Sequence, residues 1–180
     1  MSRFIVVSGL PASGKSTIGA ALSTGLGLPL LDKDDILEAL FDELGIGDAA
    51  WRTTLSRAAD RILETLAKRS RAAVVVSWWR HPSSSSSAQS GTSPQWLTSL
   101  QPAPVEVHCR CAAEVAVERF FARRRHAGHL DASKDRSHEL ARFEQAAFLG
   151  PLALGPCIEV DTNGVLDVDG LMRRLLAIWR

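Results

Sequence analysis

A chain that runs from the apolar segment Phe4 to Val7 almost directly into GLPASGKST, residues Gly9 to Thr17, has little freedom in how it folds. Gly9, Gly14, Lys15 and Ser16 satisfy the spacing G-x-x-x-x-G-K-[ST], in which glycines let successive backbone N–H groups turn inward on a phosphate. Such a loop needs a strand that fixes its entry and a helix whose N-terminal end adds a positive pole to the same anion. RFIVVS reads as the strand, and the helix runs from Lys15 to about Leu26, ending near Gly25 and Gly27. Pro11, Ala12, Ser13 and Thr17 complete the cradle. Lys15 is placed to reach β- and γ-phosphates and the Ser16 hydroxyl to hold magnesium, so the implied ligands are ATP and Mg2+.

Downstream, short β-branched runs alternate with longer helical patterns, which predicts an α/β fold: a five-stranded parallel sheet with helices on both faces. LPLLD, AAVVVSWW, VEVHC and CIEVD are the remaining strands. Asp32 to Asp35 caps a helix to about Leu44. Trp51, Leu55, Ala58, Ile62 and Leu66 recur every three or four residues, predicting an inward stripe on a long helix that Arg69 closes. Asn163 and Gly164 form a turn before a last helix that carries Leu171, Leu175 and Ile178 inward. HPSSSSSAQSGTS, about residues 81–93, has too little apolar surface to offset its ordering entropy and is expected to be a mobile loop. A brief helix from Pro94 to Leu100, capped by Ser93, follows.

At 180 residues and 46% hydrophobic, the chain suits one domain over residues 1–180. Twenty-one Lys and Arg against twenty Asp and Glu give a net charge of +1, which provides no global attraction to nucleic acid or membrane. No apolar run reaches the eighteen positions a membrane span needs, and the opening residues leave no room for a secretory signal, so a cytoplasmic protein, monomer or homodimer, is expected. Cys109, Cys111 and Cys157 form an odd set without CxxC spacing and read as reduced thiols.

LLDKDDILEAL sets Asp32, Asp34 and Asp35 where the second strand gives way to a helix, at the same sheet edge as the cradle. A hydroxyl that accepts a phosphoryl group needs a carboxylate to orient it and take its proton. Helix capping explains the same residue type, and three aspartates leave room for both uses.

GLPASGKST followed by DKDD resembles the small P-loop kinases that include polynucleotide 5′-kinase, chloramphenicol phosphotransferase and the zeta-toxin kinases. The resemblance implies a nucleoside-kinase-like sheet with an arginine-rich lid and transfer of phosphate to a hydroxyl of a small molecule. By matching position it implies Asp34 as the base, with Asp35 as helix cap and Asp32 beside the magnesium. One departure stands out: many relatives carry an acidic residue after the third strand, where this chain has Ser77, Trp78 and Trp79. Two readings fit the tryptophans, a wall of the acceptor pocket or core packing.

AAEVAVERFFARRRHAGHLD begins as an amphipathic helix and ends in Arg119, Arg123, Arg124 and Arg125. Arg119 and Arg123, four apart, share a helix face and can converge on the same phosphates, in a lid over about 119–135 that Gly128 would loosen as a hinge. Arg124 and Arg125 fit a solvated basic helix end. His126 and His129 lack a third ligand for a metal. Asp161, Thr162 and Asn163 in VDTNG lie, by the same resemblance, beside adenine, though an Asn-Gly turn accounts for them equally. A polynucleotide 5′-kinase is the alternative acceptor reading, and the sequence shows no second Lys/Arg cluster to support it. A regulatory nucleotide binder with slow hydrolysis is the reading of another class.

Overall fold

A computed structural model describes residues 3–84 and 91–179. Five parallel strands form one sheet in the order β2-β3-β1-β4-β5, with β1 Arg3–Gly9, β2 Leu30–Asp32, β3 Ala72–Val76, β4 Val105–Arg110 and β5 Cys157–Asp161. The α/β alternation and the five parallel strands read from the sequence are realised. The helices are α1 Lys15–Leu26, α2 Lys33–Leu44, α3 Ala49–Arg69, α4 Ala113–Ala122, α5 Arg136–Leu149 and α6 Val168–Ile178. α5 lies beyond the expected lid, in a stretch to which the sequence reading gave no element.

The central strand β1 is buried on both faces, as its unbroken apolar run requires. Ile5 and Val7 face Ile18 and Leu22 of α1 and Leu171 and Leu175 of α6, while Phe4 and Val6 face Leu63 and Ala67 of α3. α4 and α5 pack together through Val117, Phe120 and Phe143, in one cluster with Leu10 of the glycine loop. The expected mobile segment, about 81–93, includes residues 85–90, which lie outside the described residues. Its flanks are tied: Arg80 N–H donates to Thr92 O and Thr92 N–H to Trp78 O.

Several expectations need correction. The inward stripe of α3 is Leu55, Ala59, Leu63 and Ala67, one step round from the predicted one. Trp51, Ile62 and Leu66 are about 40% exposed, and so is Ile178 on α6. The α3 sequence carries two apolar stripes of equal period, and only tertiary packing selects between them. Asp32, not Asp35, caps α2: its side chain accepts from Asp34 N–H at 2.9 Å. The segment after Pro94 is a 3-10 turn, Gln95–Ser99.

Gly128 is no hinge. A Cβ there would meet the Phe41 ring at 2.5 Å, so the glycine exists to let the lid backbone lie on the buried ring of α2. Gly128→Ala is therefore expected to cost about 1–3 kcal/mol by overpacking and to lower the melting temperature by several degrees. An unchanged melting curve would contradict this close-packing role.

Candidate active site

The glycine loop leaves β1 at its carboxyl end, where the chain connections diverge toward opposite sides of the sheet and ligand crevices form. Gly9 (φ +129°) and Gly14 (φ +91°) adopt conformations closed to most side chains, and a Cβ on Gly9 would stand 2.6 Å from the Cys109 carbonyl oxygen. Gly14 is the N-cap of α1 and has no capping side chain. The first N–H groups of α1 therefore point into the loop.

Lys15 is almost wholly buried and its Nζ donates to Leu10 O at 2.6 Å. Burial holds its pKa below the usual lysine value. The Ser16 hydroxyl donates to Asp32 Oδ2 at 2.7 Å, so the two residues assigned to magnesium from the sequence meet in space. Hard oxygen donors of this kind suit that cation. Ser77, which stands in the place of the acid expected after β3, is hydrogen-bonded to the Thr92 hydroxyl at 2.5 Å, and Thr92 donates to Asp60 of α3 at 2.7 Å. Among the described residues no cluster of three His, Cys, Asp or Glu side chains forms a closed metal cage.

A cavity of about 1130 Å3 opens over the carboxyl ends of β1, β2 and β3. Its walls bring together Pro11, Ala12, Gly14, Lys15, Ser16 and Thr17 with Asp32, Asp34, Arg119 and Arg123. Gly9, Ser13 and Thr162 lie outside these walls; Thr162 accepts at its backbone oxygen from Arg119 Nη1 at 2.7 Å. Arg119 Nη2 reaches Asn163 O at 2.9 Å as well, so this guanidinium pins the loop after β5. Arg123 has left the helix as the C-cap of α4 and lies 5.0 Å over the Phe120 ring. The two arginines thus do not share one helical face.

The residue that sequence reasoning missed is Arg125. It is not a solvated helix end: it forms ion pairs with Asp34 and, at 3.3 Å, with Asp131. Burial raises the Asp34 pKa, but Arg125, then His129, Lys15 and Arg123, outweigh it and hold the carboxyl below its ordinary range. The lid segment after Arg125 is docked on α2, with His129 bonded to Glu38 at 2.8 Å and His126 to Asp42 at 3.1 Å. Buried His129 also accepts at its backbone oxygen from Arg52 Nε at 3.0 Å. No spacing in the sequence reveals this pairing, because Arg125 and Asp34 are 91 positions apart.

The two tryptophans divide the readings between them. Trp79 is core, its Nε1 donating to Val7 O at 3.0 Å, whereas Trp78 lines the cavity under Arg142, whose guanidinium lies 4.4 Å from the ring.

A family model described as AAA domain matches residues 4–147. The chain belongs to that family. A crystal structure described as "a putative kinase" from Chloroflexus aurantiacus J-10-fl is 30% identical with a TM-score of 0.78, over 98% of this chain and 97% of that one. The fold also matches a sugar kinase from Janibacter sp. HTCC2649, 18% identical with a TM-score of 0.58 over 98% and 94% of the two chains. Shikimate kinase from Acinetobacter baumannii in complex with shikimate is 15% identical with a TM-score of 0.59, over 99% and 94%. The fold is that of the P-loop kinases. No curated protein matches significantly. Among the described residues, no helix is long and apolar enough to cross a membrane.

Burial pushes the Asp32 carboxyl up to about 6, against the opposing bonds from Ser16 and the Asp34 amide. The folded chain therefore binds this proton more tightly than the unfolded chain does. The resulting stabilisation is full below 3.8, the unfolded value, and is lost as pH rises through about 6. Asp32→Asn, which keeps an oxygen for the cap, should melt with the wild type at pH 4 but above it at pH 7.5. The expected gain is about 1–3 kcal/mol. Equal melting temperatures at both pH values would show that Asp32 carries no such cost.

Proposed function

We propose that the chain is an ATP-dependent phosphotransferase that moves the γ-phosphate to a hydroxyl of a small molecule, acting in the cytoplasm. The observation that carries this reading is Asp34 facing the same cavity as Lys15 and the glycine loop. The kinase descriptions of the matched structures, three of them for shikimate kinases, one for a sugar kinase and one for a gluconokinase, agree with it.

In this reading Gly9, Ser13, Gly14 and their neighbours present backbone N–H groups to the phosphate oxygens, and Lys15 exchanges Leu10 O for a phosphate oxygen. Magnesium, held by Ser16 with Asp32 behind it, would supply charge compensation for the phosphates. Asp34 orients the acceptor hydroxyl and takes its proton, and Arg123 neutralises charge on the transferring group from the lid side. Arg119 acts one step removed, through the Thr162 and Asn163 carbonyls that shape the proposed adenine side. Arg125 must release Asp34, or tilt aside, for the carboxylate to meet the acceptor.

A second reading, polynucleotide 5′-hydroxyl kinase, gains from one observation. The sequence shows no second Lys/Arg cluster along the chain, yet α3, α5 and the segment after β3 bring arginines together on the cavity wall.

Asp34→Asn removes the proton acceptor and leaves the cradle intact. Transfer should fall by about 10²–10⁴-fold, with ATP affinity measured by calorimetry unchanged. Undiminished turnover would remove Asp34 from the chemistry, and loss of ATP binding in the wild type would remove the kinase reading altogether.

A further inference from the structure

Beyond Asp34 the cavity wall is lopsided in charge. Arg52, Arg57 and Arg61 on α3, Arg80 after β3 and Arg142 on α5 all line it, in a chain whose net charge is only +1. The carboxylates that share this wall are already engaged. Asp60 is held by Lys33 at 2.8 Å, Glu64 by Lys68 at 2.5 Å and buried Glu139 by Arg142. By count, these five arginines outnumber the three carboxylates Asp60, Glu64 and Glu139 on the wall where an acceptor must sit.

Two of these arginines, Arg52 and Arg142, are held by specific contacts on the cavity wall. Arg52 is half-buried and steered by its Nε bond to His129 O. Arg142 is stacked on Trp78, clamped by Glu139, and its buried Nε makes no hydrogen bond among the described residues. Burial lowers the Arg52 pKa; Asp131 and Asp34 counter that fall while the nearby charges of Arg125 and Arg142 add to it, so Arg52 stands within electrostatic range of both guanidiniums. Holding like charges together costs free energy that an anion between them would offset. A guanidinium matches a carboxylate or phosphate with paired donors.

We infer that the acceptor carries an anion of its own, a carboxylate or a phosphate, gripped by Arg52 and Arg142 while its hydroxyl faces Asp34. This rests on the phosphotransferase reading and names the substrate class for the same site. Trp78 offers a flat apolar face to the carbon skeleton of such a compound. In the transfer the acceptor O–H bond breaks, its proton passes to Asp34, a new O–P bond forms and ADP leaves; the acceptor's anion takes no covalent part.

The test compares matched alcohols: glycerol with glycerate and glycerol phosphate, and glucose with gluconate and glucose 6-phosphate, with product read by mass. At least one charged member should show kcat/KM about 100-fold above its neutral parent, because a site built for an ionic partner rejects the analogue that lacks it. Which charged member wins distinguishes carboxylate from phosphate. Arg52→Gln and Arg142→Gln should each raise KM for that member about tenfold with KM for ATP unchanged, and Arg52→Lys, which keeps the charge without the paired donors, should restore only part of the loss. Faster turnover of neutral alcohols, unmoved acceptor KM values, or a preference for 5′-hydroxyl oligonucleotides over every small anion would overturn the inference.

If no panel member reacts, inorganic phosphate titrated into protein loaded with a non-hydrolysable ATP analogue gives the answer. Binding that weakens about tenfold in Arg52→Gln and Arg142→Gln supports the anion site, and undetectable binding in the wild type refutes it. Failure of the ATP analogue to bind is a separate result that falls on the phosphotransferase reading.

Discussion

A buried ammonium group organises this molecule. Lys15 sits at the start of α1 almost wholly removed from water, and a charge in that position is tolerable only where dipoles or opposite charge surround it. The Leu10 carbonyl does so directly, and the carboxylates of Asp34 and Asp32 do so at longer range. That requirement brings the exit of β1 and the exit of β2 to one place. It also explains why the loop between them is built from residues that let the backbone turn inward: a side chain at Gly9 would push the loop off Cys109 and away from the lysine.

From this centre the charges alternate outward. Lys15 faces Asp34, Asp34 faces Arg125, and Arg125 faces Asp131, which Lys134 holds in turn. An aspartate so surrounded is ionised but weakly basic. For most proton abstractions that would be a handicap. Phosphoryl transfer is different, because its loose transition state asks for little proton removal until the new bond is well formed. On the proposed reading, a low pKa keeps Asp34 charged and available as a hydrogen-bond acceptor, so that it orients the hydroxyl first and takes its proton late. On the same reading, two of the cations that depress its pKa, Lys15 and Arg123, also face the phosphates.

Elements whose signals are local were legible in the sequence. β1, the glycine loop, α1 ending at Gly27 and the full span of α3 follow from apolar runs, capping residues and helical spacing. The Ser16 and Asp32 pair was legible too, because parallel strands end together and bring their exits side by side. What was not legible depends on distant partners. Two apolar stripes on α3 have the same period, so the inward one is decided by what packs against it. Arg125 looked like one more arginine in a basic run until the lid folded onto α2 and set it against Asp34. Gly128 looked like a hinge because a sequence shows a missing side chain but not the Phe41 ring that fills the space.

The acid that the family resemblance places after β3 has a structural substitute rather than a simple gap. Ser77 occupies that strand end, bonds to Thr92, and through Thr92 connects with Asp60 on α3. The negative charge is thus carried on the helix that also bears Arg52, and it is already compensated by Lys33 at the start of α2. Two consequences follow for the proposed chemistry. The carboxylate in contact with Ser16 is Asp32, whose burial makes it reluctant to ionise unless a cation arrives beside it. And because Asp60 is tied up by Lys33 and Thr92, it does not cancel the arginines across the cavity. With Ser77 rather than an acid at the strand end and Asp60 held by Lys33 and Thr92, the proposed metal pole depends on Asp32, and the cavity wall on α3 stays rich in arginine.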